Sequence, residues 1–240
     1  MNGPKIIFRI PIFGGIPVTE TIVNSWIIMA VIVLVCIWLT RNMKKVPHGK
    51  QAAAEILVKT LYNFVESTMG KAYSHYAPYI GALFTLSVLG SLSSLLGMRP
   101  LTADLSTTLG WALVTMVMVQ ANNIRCNGVI GWLKSFTEPI FVMTPLNLIS
   151  EIANPISLSF RHFGNIAAGM VITTLLYGAL ASLSAVVLQI IPNAFISQIP
   201  IFQLGIPAVL SIYFDLLTSF LQAFIICMLT MVFVSGAGNE

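Results

Sequence analysis

The stretch "PISLSFRHFGNIAAGMVITTLLYGALASLSAVVLQII" (155–191) decides the fold. After Arg161 it holds no Lys, Arg, Asp or Glu, and after Pro155 no further proline. At 1.5 Å of rise per residue it would form a helix roughly 55 Å long, against a hydrocarbon core about 30 Å thick. Ordinary tilt does not absorb so large a mismatch. The segment must break or lie steeply tilted, and we read it as one steeply tilted helix. A second long apolar run, Ile206 to Val234, ends in the polar tail "SGAGNE" (235–240). Together they read as a long tilted helical hairpin over 139–235.

Composition places the rest of the chain in the same solvent. Of 240 residues, 57% are hydrophobic and 8% charged, and the mean hydropathy is +0.90. A soluble domain is about a quarter charged, so this is an all-α integral membrane protein of a single membrane domain. The net charge of +4 is small and spread over loops, which argues against nucleic acid as a partner. Cys36, Cys126 and Cys227 lie too far apart for a paired framework or a metal-type spacing, and read as buried or incidental thiols. Neither a metal nor a cofactor is expected.

Working back towards the N-terminus, residues 1–21 read as an ordered extracytoplasmic arm, since no apolar core with a small-residue cleavage site is present. The first span covers 22–40. It is followed at once by "RNMKKVPHGK" (41–50), whose positive charges place that loop in the cytoplasm and the N-terminus outside. Residues 50–72 place Leu57, Leu61, Phe64, Val65 and Met69 at helical spacing, with Glu55, Lys59, Asn63, Glu66 and Lys71 elsewhere. This is an amphipathic helix, either interfacial or packed on a soluble partner, and we favour the interface. A helical hairpin follows over 78–124, and the loop after it, with Arg125 and Lys134, returns to the cytoplasm. The expectation is five membrane-embedded helices plus one interfacial helix, with the C-terminus cytoplasmic.

Arg161 is the sharpest feature within the apolar runs. Its guanidinium stays protonated in any protein environment, and a charge at a helix centre costs about 2.5–3.5 kcal/mol even on a mild insertion scale. Six residues from Pro155, it reads either as a snorkelling side chain or as a functional charge. Ser157, Arg161, Gly164 or Asn165, and Ala168 share one face. Small residues on that face admit a close neighbour, so the arginine addresses a partner rather than lipid. His162 points about 100° away and reads as a packing or interfacial histidine.

In the last helix Ser211, Asp215, Thr218 and Gln222 form one polar stripe. An intramembrane carboxylate such as Asp215 is a functional candidate, or else the structural partner of Arg161. If the hairpin turns at Pro192–Asn193, Arg161 faces Gln222 and Met170 faces Asp215, which leaves Asp215 roughly 10 Å from the arginine's level. A later turn, near Pro200, Gly205 or Pro207, is also open. Asp104 reads as a helix cap or as part of an outer path. Glu151 reads as the lining of a cytoplasmic mouth or as an interfacial acid.

Two motifs now carry a family resemblance. "PLNLISEIANPISLSFRHFGNIAAG" (145–169) and "LQAFIICMLTMVFVS" (221–235), in that order, strongly resemble subunit a of bacterial F-type ATP synthases. The resemblance covers essentially the whole chain. It implies a stator subunit, not catalytic by itself, in a bacterial plasma membrane. Such a stator offers two offset half-channels to the carboxylates of a rotating c-ring, and its last two helices lie tilted against that ring. The implied partners are c subunits, peripheral-stalk b subunits and the rest of the synthase, with the lipid bilayer around them. By the same resemblance Arg161 matches the family's essential arginine, Asn165 its motif asparagine and Gln222 the glutamine of the last helix. Asp215 falls where the family places an ionisable group. Ser157, Glu151, Asp104, Ser211 and Thr218 are candidate path residues, and Gly164 and Ala168 candidate ring-facing ones. Met170 departs from the pattern, since many members carry a polar residue there, and so does His162, where leucine is usual.

The competing reading is a cation-coupled secondary transporter. It calls for an internal repeat with paired broken helices, and the sequence shows none. A structural scaffold would leave Arg161, Asp215 and Gln222 unexplained.

Overall fold

In the computed structural model, residues 5–11, 16–41, 43–137, 140–188 and 212–237 are described. An antiparallel pair, β1 (Ile6–Ile10) and β2 (Ile16–Thr19), leads into six helices. These are α1 (Glu20–Thr40), α2 (Lys50–Met69), α3 (Ala77–Leu92), α4 (Leu105–Ser135), α5 (Thr144–Leu188) and α6 (Thr218–Gly236). A single π-helical turn, Ile212–Leu217, leads into α6. The described residues are thus mainly helical, and the small ribbon falls within the arm expected at 1–21.

Among the described residues, four helical segments are long and apolar enough to cross a membrane: Glu20–Thr40, Lys71–Leu96, Phe141–Val187 and Thr218–Gly236. The fifth expected crossing, in α4, is not among them. Polar residues such as Thr107, Thr108, Gln120, Asn122 and Asn123 dilute its apolar content.

Two helices run further than their sequences announce. The helix containing Arg161 begins not at Pro155 but at Thr144, and Pro155 is buried inside it. Pro145, in the first turn, is harmless because its missing N–H would be unpaired there anyway. Pro155 removes one helical hydrogen bond, a loss that neighbouring helices make tolerable in membrane bundles. The 45 residues of α5 span roughly 65 Å, more than twice the hydrocarbon thickness. Arg161 therefore sits far from either helix end, which removes the premise for a snorkelling residue just inside a terminus. Likewise α4 continues past the expected limit of 124 to Ser135, with a break at Gly128, whose φ of 70° glycine adopts without strain.

The bundle core joins α2, α3, α4, α5 and α6. Val65 and Met69, Ile80 and Leu83, Ala112, Leu158, and Ile226, Cys227, Met231 and Val234 pack into one cluster. The amphipathic α2 therefore turns its C-terminal apolar face onto its own chain. A Cβ at Gly81 would come within 2.5 Å of the Leu61 side chain, so α2 and α3 approach closely at that point. Its N-terminal half differs: Ile56, Leu57 and Val58 stay exposed. Helix α1 touches the bundle through Thr21, Asn24 and Ile28, while its later residues, Val31 to Trp38 among them, present apolar side chains outward.

Candidate functional site

The face of α5 that holds Arg161 is open. Ser157, Arg161, Asn165 and Ala168 are exposed, and Gly164 is half-buried. A Cβ added at Gly164 would meet nothing within 4 Å. Among the described residues no carboxylate lies within ion-pairing distance of Arg161, and the one described salt bridge joins Arg99 to Asp104 at 3.2 Å. The sequence makes this face because small side chains recur at i, i+3 and i+4 around the arginine.

Two cavities flank that position along α5. The larger, about 1020 Å³, lies among the C-terminal half of α4, the N-terminal part of α5 and the end of α6. Gln120, Asn123, Lys134, Glu151 and Asn154 give it a polar wall. There Gln120 donates through Nε2 to Glu151 and accepts from Trp132 Nε1 at 2.5 Å. The smaller cavity, about 330 Å³, lies at the opposite end of the bundle, between the end of α3 and the middle of α5. Its polar lining includes hydroxyl groups and an amide, among them Ser91, Ser94, Asn165, Thr173, Tyr177 and Ser219. The Ser219 hydroxyl is buried without a protein partner. On α5 the larger cavity ends at Leu158 and the smaller begins at Asn165. Arg161 lies between these two residues, within about 10 Å of helix rise.

The other expected residues are distributed as follows. Of the path candidates, Glu151 borders the larger cavity and Asn165 the smaller; Ser157 and Gln222 border neither. Gln222 is buried in α6. The Thr218 hydroxyl donates to the Tyr213 carbonyl at 3.0 Å, five residues back at the end of the π turn. Asp215 lies in that turn. Ser211 and the turn between the two long helices lie outside the described residues. Met170 borders the smaller cavity.

Asp104 departs from the capping expectation. It occupies the N-cap position of α4 but its side chain makes no capping bond. The Asp104 backbone carbonyl accepts from Thr107 and Thr108, while its carboxylate accepts from Thr21 on α1 and pairs with Arg99. Its carboxylate joins α1 to the loop before α4, beside Asn24, which donates to the Arg99 carbonyl at 3.1 Å.

His162 is buried, as its packing reading expected. Its Nε2 is 3.2 Å from Ser87 Oγ, and its ring lies 5.6 Å from that of Trp111. Sequence reasoning passed over the hydroxyl and amide groups of α3 and α4 that line the cavities. Their signal was present as Ser91, Thr115, Gln120 and Asn123 inside otherwise apolar helices.

Comparison with known proteins identifies the family. The profile of the family described as ATP synthase A chain matches residues 22–235. The chain is similar to the sodium-ion-specific ATP synthase subunit a of Propionigenium modestum, at 33% identity over 99% of this chain and 86% of that protein. It is also similar to ATP synthase subunit a of Moorella thermoacetica, 33% identical over 93% of this chain and 92% of that one, and to ATP synthase subunit a 2 of a Bradyrhizobium species, 33% identical over 93% and 91%. An ion-translocating subunit of the ATP synthase complex that performs no ATP chemistry itself needs polar cavities within an apolar multi-pass bundle, and the chain, with that construction, belongs to the ATP synthase A chain family.

Proposed function

We propose that the two cavities are the two half-paths of the stator, and that Arg161 is the charge that separates them. The observation that carries this reading is their placement on α5: one cavity stops at Leu158, the other starts at Asn165, and Arg161 lies between, exposed and without an acidic partner among the described residues. The smaller cavity opens toward the outside and the larger toward the cytoplasm, by the positive charges of residues 41–50 and of Arg125 and Lys134. This orientation takes α4 as a fifth crossing, α2 as interfacial, and the N-terminus as external.

The geometry supports a stepwise account. An ion enters the outer cavity past Ser94 and Asn165, with Asp215 and Gln222 contributing from the last helix. It neutralises a carboxylate on a c subunit that approaches over Gly164 and Ala168. A neutral site enters lipid where an ionised one would be costly. After nearly a full turn it reaches the cytoplasmic cavity and releases its ion towards Ser157 and Glu151. Arg161 favours the ionised carboxylate by direct attraction, and repels a cation seeking to pass straight between the cavities. The length of α5 fits a helix laid obliquely against the ring. The b subunits of the stalk and the c subunits complete the assembly. The coupling ion, a proton in this reading, is selected largely by the ring's own carboxylate site.

The test is Arg161→Ala in the whole complex, reconstituted in vesicles. ATP-driven proton pumping is expected to fall to background while the soluble sector continues to hydrolyse ATP. Pumping at the normal rate would sink the assignment.

A further inference from the structure

Arg161 guards only one side of α5. About 100° around the helix from it, Leu158, His162 and Ile166 form a buried stripe at successive i, i+4 positions. Leu158 borders the larger cavity and Ile166 the smaller, whereas His162 borders neither. Within that stripe His162 stands between the two cavities, about 6 Å of helix rise from Leu158 and from Ile166.

The surroundings of His162 would conduct if they were wetted. Towards the smaller cavity, Ser87 meets His162, and one turn further along α3 Ser91 pairs with Thr102 at 3.2 Å and borders that cavity. Towards the larger cavity, Ser159 pairs with Thr108 at 3.1 Å. Two turns along α4 from Thr108, Thr115 pairs with Thr230 at 3.2 Å and borders the larger cavity. All of these hydroxyls are buried. Each can donate and accept at once, so waters placed between them would complete a continuous polar thread. A buried water needs room and polar partners. The partners exist here, including the unpaired Nδ1 of His162, but the imidazole and the Trp111 ring fill the room.

We propose that His162 is a seal: its packed side chain, held by Ser87 and Trp111, keeps the two cavities from joining through the buried hydroxyls behind Arg161. The helix then carries two barriers at one level, a charge on the ring side and a filled volume on the bundle side. This inference rests on the two-cavity reading above. A join at this point would let ions bypass the ring and dissipate the gradient without rotation.

The experiment uses the complete synthase in sealed vesicles. ATP builds a proton gradient, the ATP is exhausted, and the decay of the gradient is followed. His162→Leu, His162→Val and His162→Ala form a series of decreasing volume. Decay is expected near the unmodified rate for Leu and several-fold faster through Val to Ala. Adding Ser87→Leu to His162→Ala refills the space from α3 and is expected to slow the decay again. Equal leak in the Leu and Ala variants overturns the proposal, because filled volume would not be what seals. A tight gradient in both the Val and Ala variants overturns it as well. Copurification of the ring reports assembly, and the milder Val variant gives the answer if Ala does not assemble.

The two-cavity reading has its own readout. Ser94→Cys and Ser150→Cys, each made with Cys36→Ser and Cys126→Ser, are treated with a membrane-impermeant thiol reagent from the outer and cytoplasmic sides respectively. No labelling at either position defeats the cavities. Labelled cavities together with a tight His162→Ala vesicle defeat the seal alone.

Discussion

Two neighbouring residues of α5 meet opposite fates. Arg161, fully charged, stands exposed among Ser157, Gly164, Asn165 and Ala168 with no described acid beside it. His162 is buried against Ser87 and Trp111. On the bundle-facing side polarity is mostly answered within the chain, Ser87 by His162, Ser159 by Thr108 and Thr115 by Thr230, with the His162 Nδ1 an exception among the described residues. On the outward side it is not. In a membrane an unanswered polar group is expensive, so a face that keeps one must meet its partner elsewhere. Under the proposed function, the contrast separates residues that hold the bundle together from residues that serve a second body moving past it.

The contrast breaks most visibly at Gly164. Among the described residues, and apart from its own helix backbone and chain neighbours, no atom lies within 4 Å of the position a Cβ would take there. Gly164→Leu is therefore expected to leave the stability of the isolated subunit unchanged while obstructing the approach of the ring. Overpacking of a close contact costs about 1–3 kcal/mol, so ATP-driven pumping is expected to drop about tenfold or more. Thermal unfolding of the variant, read beside its pumping rate, decides the matter. A destabilised subunit with normal pumping would place this face inside the fold rather than against a partner.

A smaller effect is expected where the outward face runs into the outer cavity. Asp215 supplies an acid in the turn before α6, while Met170 borders the cavity from α5. Asp215→Asn is expected to slow ion flow several-fold. Met170→Glu in that background is expected to restore part of it, because an acid on either helix would serve the same polar path. Vesicle pumping by the single and double variants measures this, and a double variant no faster than Asp215→Asn removes the shared role.

The outward face was legible in the sequence because it depends on local spacing alone. Small residues at i, i+3 and i+4 around an arginine declare a face whatever the helix packs against. The amphipathic pattern of α2 was legible for the same reason, although its burial against its own bundle, through Val65 and Met69, was not. Helix limits were misread where an exception to a local rule prevailed. Pro155 signals a helix start, yet the helix runs through it from Thr144, because a membrane bundle can absorb one lost hydrogen bond. Asp104 carries a capping signature, but Thr21, 83 positions away in the chain, takes its carboxylate. Such a partner is set by the packing of α1 on the loop before α4, which no spacing within either segment encodes. The cavities are legible only in fragments, as single hydroxyls and amides in apolar helices whose convergence is a tertiary fact.

The smallest effect belongs to the bundle-facing side and tests whether it is purely internal. Thr108 donates its hydroxyl proton to the Leu105 carbonyl at 3.1 Å. A hydroxyl has one proton, so in the Thr108–Ser159 pair Ser159 is the donor. Ser159→Ala removes that donor, and Thr108 keeps its own bond to Leu105. No polar hydrogen is stranded and the volume change is slight. Interhelical hydrogen bonds of this kind are worth about 0.6 kcal/mol on average in a membrane bundle, and that is the loss expected in equilibrium unfolding in mixed detergent. Pumping is expected to stay within about a factor of two of the unmodified complex, since 0.6 kcal/mol is less than half of a tenfold change. A large fall in pumping with unchanged stability would move Ser159 from the scaffold to the ion path, and the two sides of α5 would no longer divide by function.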